Sequence, residues 1–217
     1  MSSKRSVSSD KDKPPLEPDE QPPFYEELGR ALSTWGGVEA ALADIYGDAV
    51  NYDNPVPAKV AFWAIIAFDG KRQMADAAIS TTIGQDTELL TKWQELCERL
   101  KSKSGSRNKL AHGTVVTMTW KKNSRTKRET FLAPKYNEHN VRKEIVIKVD
   151  DSSKPKFRDP RPKNRLSIKQ IIQFRKDYTQ LRKDLWAYAD EFRAHIREQK
   201  DREPGIVIRA QSAHLPP

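Results

Sequence analysis

A chain of 217 residues is long enough for one domain with a sizeable core. Its single cysteine, Cys97, excludes an internal disulfide framework and is expected to be a buried thiol. The most apolar run, residues 60–68, is far shorter than the roughly 20 residues that a membrane-spanning helix needs, and the N-terminus has no secretory signal pattern, so we expect a soluble, cytoplasmic protein.

The net charge of +9 is unevenly distributed along the chain. Residues 101–183 contain 24 Lys and Arg against 7 Asp and Glu, a net charge of +17, whereas the remainder carries −8. A basic segment of this kind is typical of a surface that binds a polyanion, because each phosphate that it neutralises releases counterions. The alternative is a solvated loop whose charge serves solubility alone.

The first segments in chain order are a polar arm and a long helix. Residues 1–22 are rich in Ser, Lys, Asp and Pro, which predicts a disordered arm. From Phe24 to Ala49, apolar residues recur at steps of three and four, which predicts one amphipathic helix. Gly36-Gly37 within this helix indicates a kink or the close approach of another backbone, since glycine is otherwise unfavourable there.

Glu39 lies beside the apolar stripe of this first helix. A carboxylate in such a position is more often solvated at the edge of a bundle than functional. We therefore expect Glu39 to be solvated, and it is a supporting candidate only.

Two helical segments follow the first. Pro57 can occupy the first turn of a helix that is expected to run to Phe68. The dipeptide Asp69-Gly70 is then expected to interrupt the helical pattern before a further segment at 71–82.

Asp86 can cap the next helix. We expect that helix to fray in the Ser, Lys and Gly residues at 101–105. Ser106 would then cap a separate turn that begins at Arg107, and Gly113 would end that turn in the left-handed conformation.

After this turn the apolar period changes from helical to alternating. Segments 114–120, 130–133 and 144–149 predict a small antiparallel sheet within a basic insertion at about 114–165.

The last helix begins at a capping box formed by Ser167 and Gln170, and its apolar stripe runs from Ile171 to Phe192. Residues 203–217 predict a loose tail. The predicted fold is therefore mainly α: a four- to five-helix up-and-down bundle over residues 23–202, with a small antiparallel β insertion before the last helix.

The candidate site is the pattern Arg107-Asn108-x-x-x-His112. Without the Asn, an Arg followed by a His after four to six residues arises by chance about once in a chain of this size, and such a pair recurs at Arg209 and His214 in the tail, where no helical pattern surrounds it. Arginine can hold two phosphate oxygens, an imidazole can exchange protons near neutral pH, and a carboxamide can orient either group. On a helix, Asn108 and His112 share one face.

These groups suit the cleavage of RNA, which carries its own nucleophile in the ribose 2′-hydroxyl. The sequence has no zinc-ligand spacing, P-loop, dinucleotide-binding turn or nucleophile elbow, so we expect neither a metal nor a cofactor. Cleavage needs a base and an acid, and the pattern supplies one histidine. We therefore expect two copies of the chain to pair as a homodimer.

In these residues the chain resembles the HEPN superfamily (higher eukaryotes and prokaryotes nucleotide-binding), over roughly residues 24–113 and 166–199. The resemblance implies a metal-independent endoribonuclease of a toxin–antitoxin, phage-defence or RNA-processing system. An antitoxin protein is the partner of the toxins in the family, but those silenced by a nucleotidyltransferase often carry Tyr two residues after the His, where this chain has Thr114. It implies that Arg107 binds the scissile phosphate, that His112 is the acid/base and that Asn108 positions them. An acid in the first helix is common in the family, which makes Glu39 the supporting candidate.

RNA is the expected ligand, and basic residues of the insertion are the expected contacts. Trp120 and Phe131 alternate with them and can either stack on bases or pack the strands onto the bundle. The alternative for the whole chain is a catalytically inactive HEPN-like scaffold, or a regulator that binds nucleic acid or protein. The predicted RNA-binding residues are Lys109, Lys121, Lys122, Arg125, Lys127 and Arg128.

Overall fold

The computed structural model describes residues 21–84, 86–122, 125–134 and 163–202. The predicted arm up to residue 20, the predicted strand at 144–149 and the predicted tail lie outside these residues. Within them, five helices and a two-stranded antiparallel sheet share one main apolar core, so the predicted mainly α fold is confirmed. The elements are α1 (Gln21–Val50), α2 (Val56–Ala64), α3 (Phe68–Ile83), α4 (Thr87–Ala111), β1 (Gly113–Lys122), β2 (Arg125–Pro134) and α5 (Ile168–Arg202).

α1 and α5 make the most extensive helix–helix contact and run in the same direction. Ion pairs join Glu27 to Arg175 at 3.0 Å and, further along both helices, Asp48 to Arg193 at 2.7 Å. The apolar stripes predicted for both helices face the core, although a few of their members are only partly buried. The fully or almost fully buried members are Phe24, Trp35, Val38, Leu42 and Ile45 of α1, and Ile171, Tyr178, Leu181, Leu185, Tyr188 and Phe192 of α5.

α4 runs antiparallel to α5, because Lys92 pairs with Glu191 and, further along α4, Lys103 pairs with Asp177, in keeping with the predicted up-and-down bundle. The Asp86 side chain caps α4 as predicted, by accepting a hydrogen bond from the Leu89 backbone N–H at 3.0 Å. The capping box of α5 is also confirmed, because the Ser167 N–H donates to Gln170 Oε1 at 2.8 Å and the Gln170 N–H donates to Ser167 Oγ at 3.4 Å. None of the described helices combines the length and the apolar character that crossing a membrane requires.

The break between α2 and α3 lies earlier than predicted. α2 ends at Ala64, and Ile65 and Ala67 have extended backbones, with ψ angles of 125° and 124°. Asp69 and Gly70 are inside the first turn of α3, so the predicted interruption there is wrong. An acidic residue in a first turn is stabilised by the positive end of the helix dipole, which explains why Asp69 does not end the helix.

α4 is continuous from Thr87 to Ala111, so the fraying predicted at 101–105 and the separate turn capped by Ser106 are both wrong. Lys103, inside the predicted frayed segment, forms an ion pair with Asp177 of α5 at 2.7 Å. Leu110, in the last turn, is 1% exposed. These contacts with the rest of the bundle outweigh the weak helix propensity of the Ser and Gly residues.

β1 and β2 pair over their whole length, and Gly113 lies opposite Pro134. The predicted strands at 114–120 and 130–133 are confirmed and are longer than predicted. At the base of the hairpin, two backbone hydrogen bonds of 2.9 and 2.8 Å join Leu132 to Leu166, just before α5.

Some of the described glycines lie at close contacts, whereas others face open space. Among the described residues Gly84 has a positive φ, and Gly113 does not, so the left-handed stop predicted there is wrong. A Cβ at Gly113 would lie 2.5 Å from Leu132 Cγ. The approach predicted at Gly36-Gly37 is made by a side chain: a Cβ at Gly37 would lie 2.7 Å from Arg182 Cδ.

We predict opposite effects for two glycine substitutions at this end of the molecule. Gly113→Ala should lower the free energy of unfolding by about 1–3 kcal/mol, because the new methyl group overpacks against Leu132 and the Lys109 carbonyl. Gly105→Ala should raise it by about 0.5–1 kcal/mol, because this position is inside α4 and faces open space. Urea unfolding followed by circular dichroism measures both, and a neutral Gly113→Ala would contradict the packing described.

Candidate active site

Glu39 is buried, at 8% exposure, so the prediction that it is solvated is wrong. Its Oε1 accepts a hydrogen bond from the Trp35 indole N–H at 2.7 Å, and its Oε2 accepts one from Lys71 Nζ at 2.8 Å. A buried carboxylate is destabilising unless it is paired and hydrogen-bonded. Both conditions are met, which explains how α1 carries a charge on a face that packs into the bundle.

Lys71 of α3 is the functional candidate that the sequence reasoning missed. It is 6% exposed, and its ammonium also lies 4.5 Å from the ring centroid of Trp63 and 5.3 Å from that of Phe62. The signal that could have found it is its place on the apolar stripe of α3, since a lysine there needs a buried partner. The other buried residues of that helix are Phe68, Ala75, Ile79 and Ile83.

Arg107 approaches Glu39 from α4. The guanidinium Nη2 lies 3.9 Å from Glu39 Oε1, which is longer than a hydrogen bond, and Nη1 donates to Asn108 Oδ1 at 3.2 Å. The side chain is 32% exposed. Since Lys71 already neutralises Glu39, the cluster of one carboxylate and two cations has one positive charge in excess, on Arg107.

α5 contributes Tyr178 to the same cluster. Its ring packs edge-on against Trp35, with centroids 5.1 Å apart, and its hydroxyl is buried without a hydrogen-bond partner in the described part of the chain. Burial and the neighbouring Asp177 raise the pKa of Tyr178, while the charge of Arg107 acts in the opposite direction. The hydroxyl therefore stays protonated at neutral pH and is a potential donor beside Arg107.

His112 and Asn108 are both exposed at the carboxyl end of α4. The His112 backbone N–H donates to the Asn108 carbonyl at 3.1 Å, which closes the last turn. Among the described residues, the His112 ring makes no hydrogen bond or ion pair. The structure thus brings Arg107, Asn108 and Glu39 into one cluster, and it leaves the imidazole accessible one turn beyond Asn108.

No helix begins at Ser106, so the backbone N–H groups of a helix N-terminus do not face this site. Because α4 continues through Ser106 and ends beside His112, it presents carbonyl groups and the negative end of its dipole at this site. An anion would have to be held by side chains, of which Arg107 and the exposed Lys109 are the nearest along the helix.

The hairpin carries the other predicted RNA-binding residues. Lys127 and Arg128 are exposed on β2. Phe131 is fully buried, so it does not stack on a base, and the Trp120 side chain lies outside the described part of the chain. The remaining predicted residues, Lys121, Lys122 and Arg125, are at the end of the strand pair remote from Gly113.

Within the described residues, no group of three or more His, Cys, Asp or Glu side chains is arranged to hold a metal ion. Comparisons of the chain with protein-family models, with curated proteins and with solved structures found no match.

We predict that Glu39→Gln destabilises the protein more than Lys71→Met. Removing the carboxylate leaves two cations facing each other, and breaking a buried pair in this way costs about 3–5 kcal/mol. Removing Lys71 costs less, because Arg107 can move the short distance needed to pair with Glu39. Urea unfolding of the two variants under identical conditions tests the order, and an equal or larger loss in Lys71→Met would show that Arg107 does not interact with Glu39.

Proposed function

We propose that this chain is a metal-independent endoribonuclease of the HEPN type. Arg107 binds the scissile phosphate, His112 transfers protons and Asn108 positions them. The observation that carries the proposal is the state of Arg107, a partly exposed guanidinium beside a carboxylate that Lys71 already neutralises. The guanidinium is permanently charged, and its remaining N–H groups can donate hydrogen bonds to the oxygens of a phosphodiester.

The chemistry proceeds without a protein nucleophile. The ribose 2′-oxygen attacks the phosphorus, the bond to the 5′-oxygen breaks, and the products are a 2′,3′-cyclic phosphate and a free 5′-hydroxyl. One group must take the proton of the 2′-hydroxyl and another must give a proton to the leaving oxygen. His112 performs one of these transfers, and His112 of a second copy, paired as a homodimer, performs the other.

Glu39 supports this reaction by orienting Arg107 without forming a hydrogen bond to it. At 3.9 Å the carboxylate attracts the guanidinium toward the cluster, while the donors remain available to a phosphate. The resemblance to HEPN proteins supports a role as a toxin or phage-defence effector, with an antitoxin protein as the silencing partner.

The first test is RNA degradation in the presence of EDTA. We expect His112→Ala to reduce cleavage by at least roughly 100-fold while RNA affinity is unchanged, because the imidazole transfers protons and does not bind the phosphate. Arg107→Ala should lose both affinity and cleavage. The matched control is His214→Ala, which removes the histidine of the second Arg-x4-His pattern and should cleave at the wild-type rate.

Two results would contradict the proposal. If His112→Ala cleaves as fast as the wild type, the imidazole has no part in the reaction. If the wild type binds RNA and cleaves none, in single-stranded or structured form, the chain is the inactive HEPN-like scaffold or regulator instead.

A second test concerns the hairpin as an RNA-binding surface. Replacing Lys127 and Arg128 by Gln should flatten the dependence of log affinity on log salt by about 0.7 for each phosphate of single-stranded RNA that the variant no longer neutralises, or about 0.9 for each phosphate of a duplex. The control is Lys176→Gln with Lys183→Gln, which removes two exposed charges from α5. An equal change of slope in both variants would show that the hairpin has no special part in binding.

A further inference from the structure

The outward side of α2 is apolar. Val56, Val60 and Trp63, spaced by four and three residues, form one stripe, and they are 62%, 66% and 51% exposed. Ile66, just beyond the helix, is 98% exposed. Single apolar side chains are common on protein surfaces, but a row of four large ones is typical of an interaction site. We name these four residues the α2 face.

The α2 face has no net charge, although the chain carries +9. Between residues 56 and 67 the charged residue is Lys59, and its ammonium is paired with Asp44 at 2.6 Å. Two copies of a strongly basic chain repel each other in most relative orientations. The repulsion is weakest where the surfaces that face each other are neutral. A negatively charged partner would find no unpaired cation between residues 56 and 67, because Lys59 is already paired with Asp44.

A neutral apolar stripe can also pack against itself. In a two-fold symmetric dimer the same patch on both copies forms the interface, so the patch must be complementary to its own image. A patch with charges of one sign fails this condition because like charges then meet, whereas an apolar helix face satisfies it.

The α2 face is in direct contact with the candidate site. Its Trp63 ring lies 4.5 Å from the ammonium of Lys71, which bonds to Glu39. Glu39 in turn attracts Arg107. A protein that covers Trp63 therefore removes water from a residue that contacts Lys71. Lys71 is connected through Glu39 to Arg107, the proposed phosphate-binding residue.

We propose that a second copy of this chain docks on the α2 face, with α2 packed against α2 about a two-fold axis. The choice of occupant rests on the proposed function, which needs two imidazoles at the reacting phosphate, whereas the proposed site of each chain supplies His112 alone. A helix of nine residues is about 13 Å long and buries less than the roughly 800 Å² per partner of a standard interface. The dimer should therefore be weak, with a concentration-dependent equilibrium between monomer and dimer.

Sedimentation of the full chain over a range of concentrations tests the surface. Wild type should pass from monomer to dimer, whereas Ile66→Glu should remain monomeric, because it places two like charges at the interface. The control is Tyr25→Glu, which makes the same change of charge at a 53% exposed aromatic on α1 and should dimerise like the wild type. A monomeric wild type, or an Ile66→Glu variant that dimerises normally, would overturn the proposal.

The rate of maleimide labelling of Ile66→Cys identifies what covers the face. The native thiol does not compete, because Cys97 is buried and burial raises its pKa to about 12. Docking of a second copy should slow the labelling in proportion to the dimer fraction as the protein concentration rises, while Tyr25→Cys labels at a constant rate. Protection that is independent of concentration would mean that another segment of the same chain covers the face, and absence of protection would mean that a second copy does not cover it; either result overturns the proposal.

These measurements need no RNA, so they separate the docking surface from the enzyme. A wild type that dimerises through Ile66 and cleaves no RNA supports the α2 face and overturns the nuclease. A wild type that cleaves RNA as a monomer overturns the α2 face, and it also removes the pairing of imidazoles from the mechanism.

Discussion

The ion pair between Glu39 and Lys71 is the interaction on which the geometry of the site depends. Its atoms are 2.8 Å apart, and both residues are almost completely buried. A buried pair of this kind contributes little net stability compared with well-packed apolar residues, because desolvation offsets most of the attraction. We infer that its main contribution is geometric. It fixes the start of α3 against the middle of α1, and the Trp35 indole N–H satisfies the remaining oxygen.

That pairing also determines the net charge at the candidate site. Because Lys71 neutralises Glu39, Arg107 is left with a positive charge that no described carboxylate binds at hydrogen-bond distance. The same ammonium contacts the Trp63 ring, so a sequence of short contacts runs from the exposed side of α2, through the bundle, to the end of α4. The proposed dimer surface and the proposed phosphate site are therefore connected by the contacts of one lysine.

The sequence predicted the fold well wherever the signal was local. The stripes of α1 and α5 repeat over many turns, and the capping residues Asp86 and Ser167 act within three residues of their own positions. Prediction from the sequence failed where residues far apart in the chain determine whether a side chain is buried or a helix continues. Glu39 is buried because Lys71, 32 residues away in the chain, meets it, and nothing next to Glu39 signals this. The continuity of α4 depends in the same way on α5, through Lys103, and the need for Gly113 depends on Leu132.

Arg107 and His112 are held by different means, and the difference suits different tasks. The Arg107 side chain is restrained at its charged end by Glu39 and Asn108. His112 is fixed through its backbone, between the buried Leu110 and a glycine over which Leu132 closes, while its ring makes no polar contact with the described residues. A phosphate-binding group benefits from a fixed charge, since orientation is then settled before the substrate arrives. A group that transfers a proton must turn a ring nitrogen toward the oxygen concerned, and an unrestrained ring on a fixed backbone allows that movement.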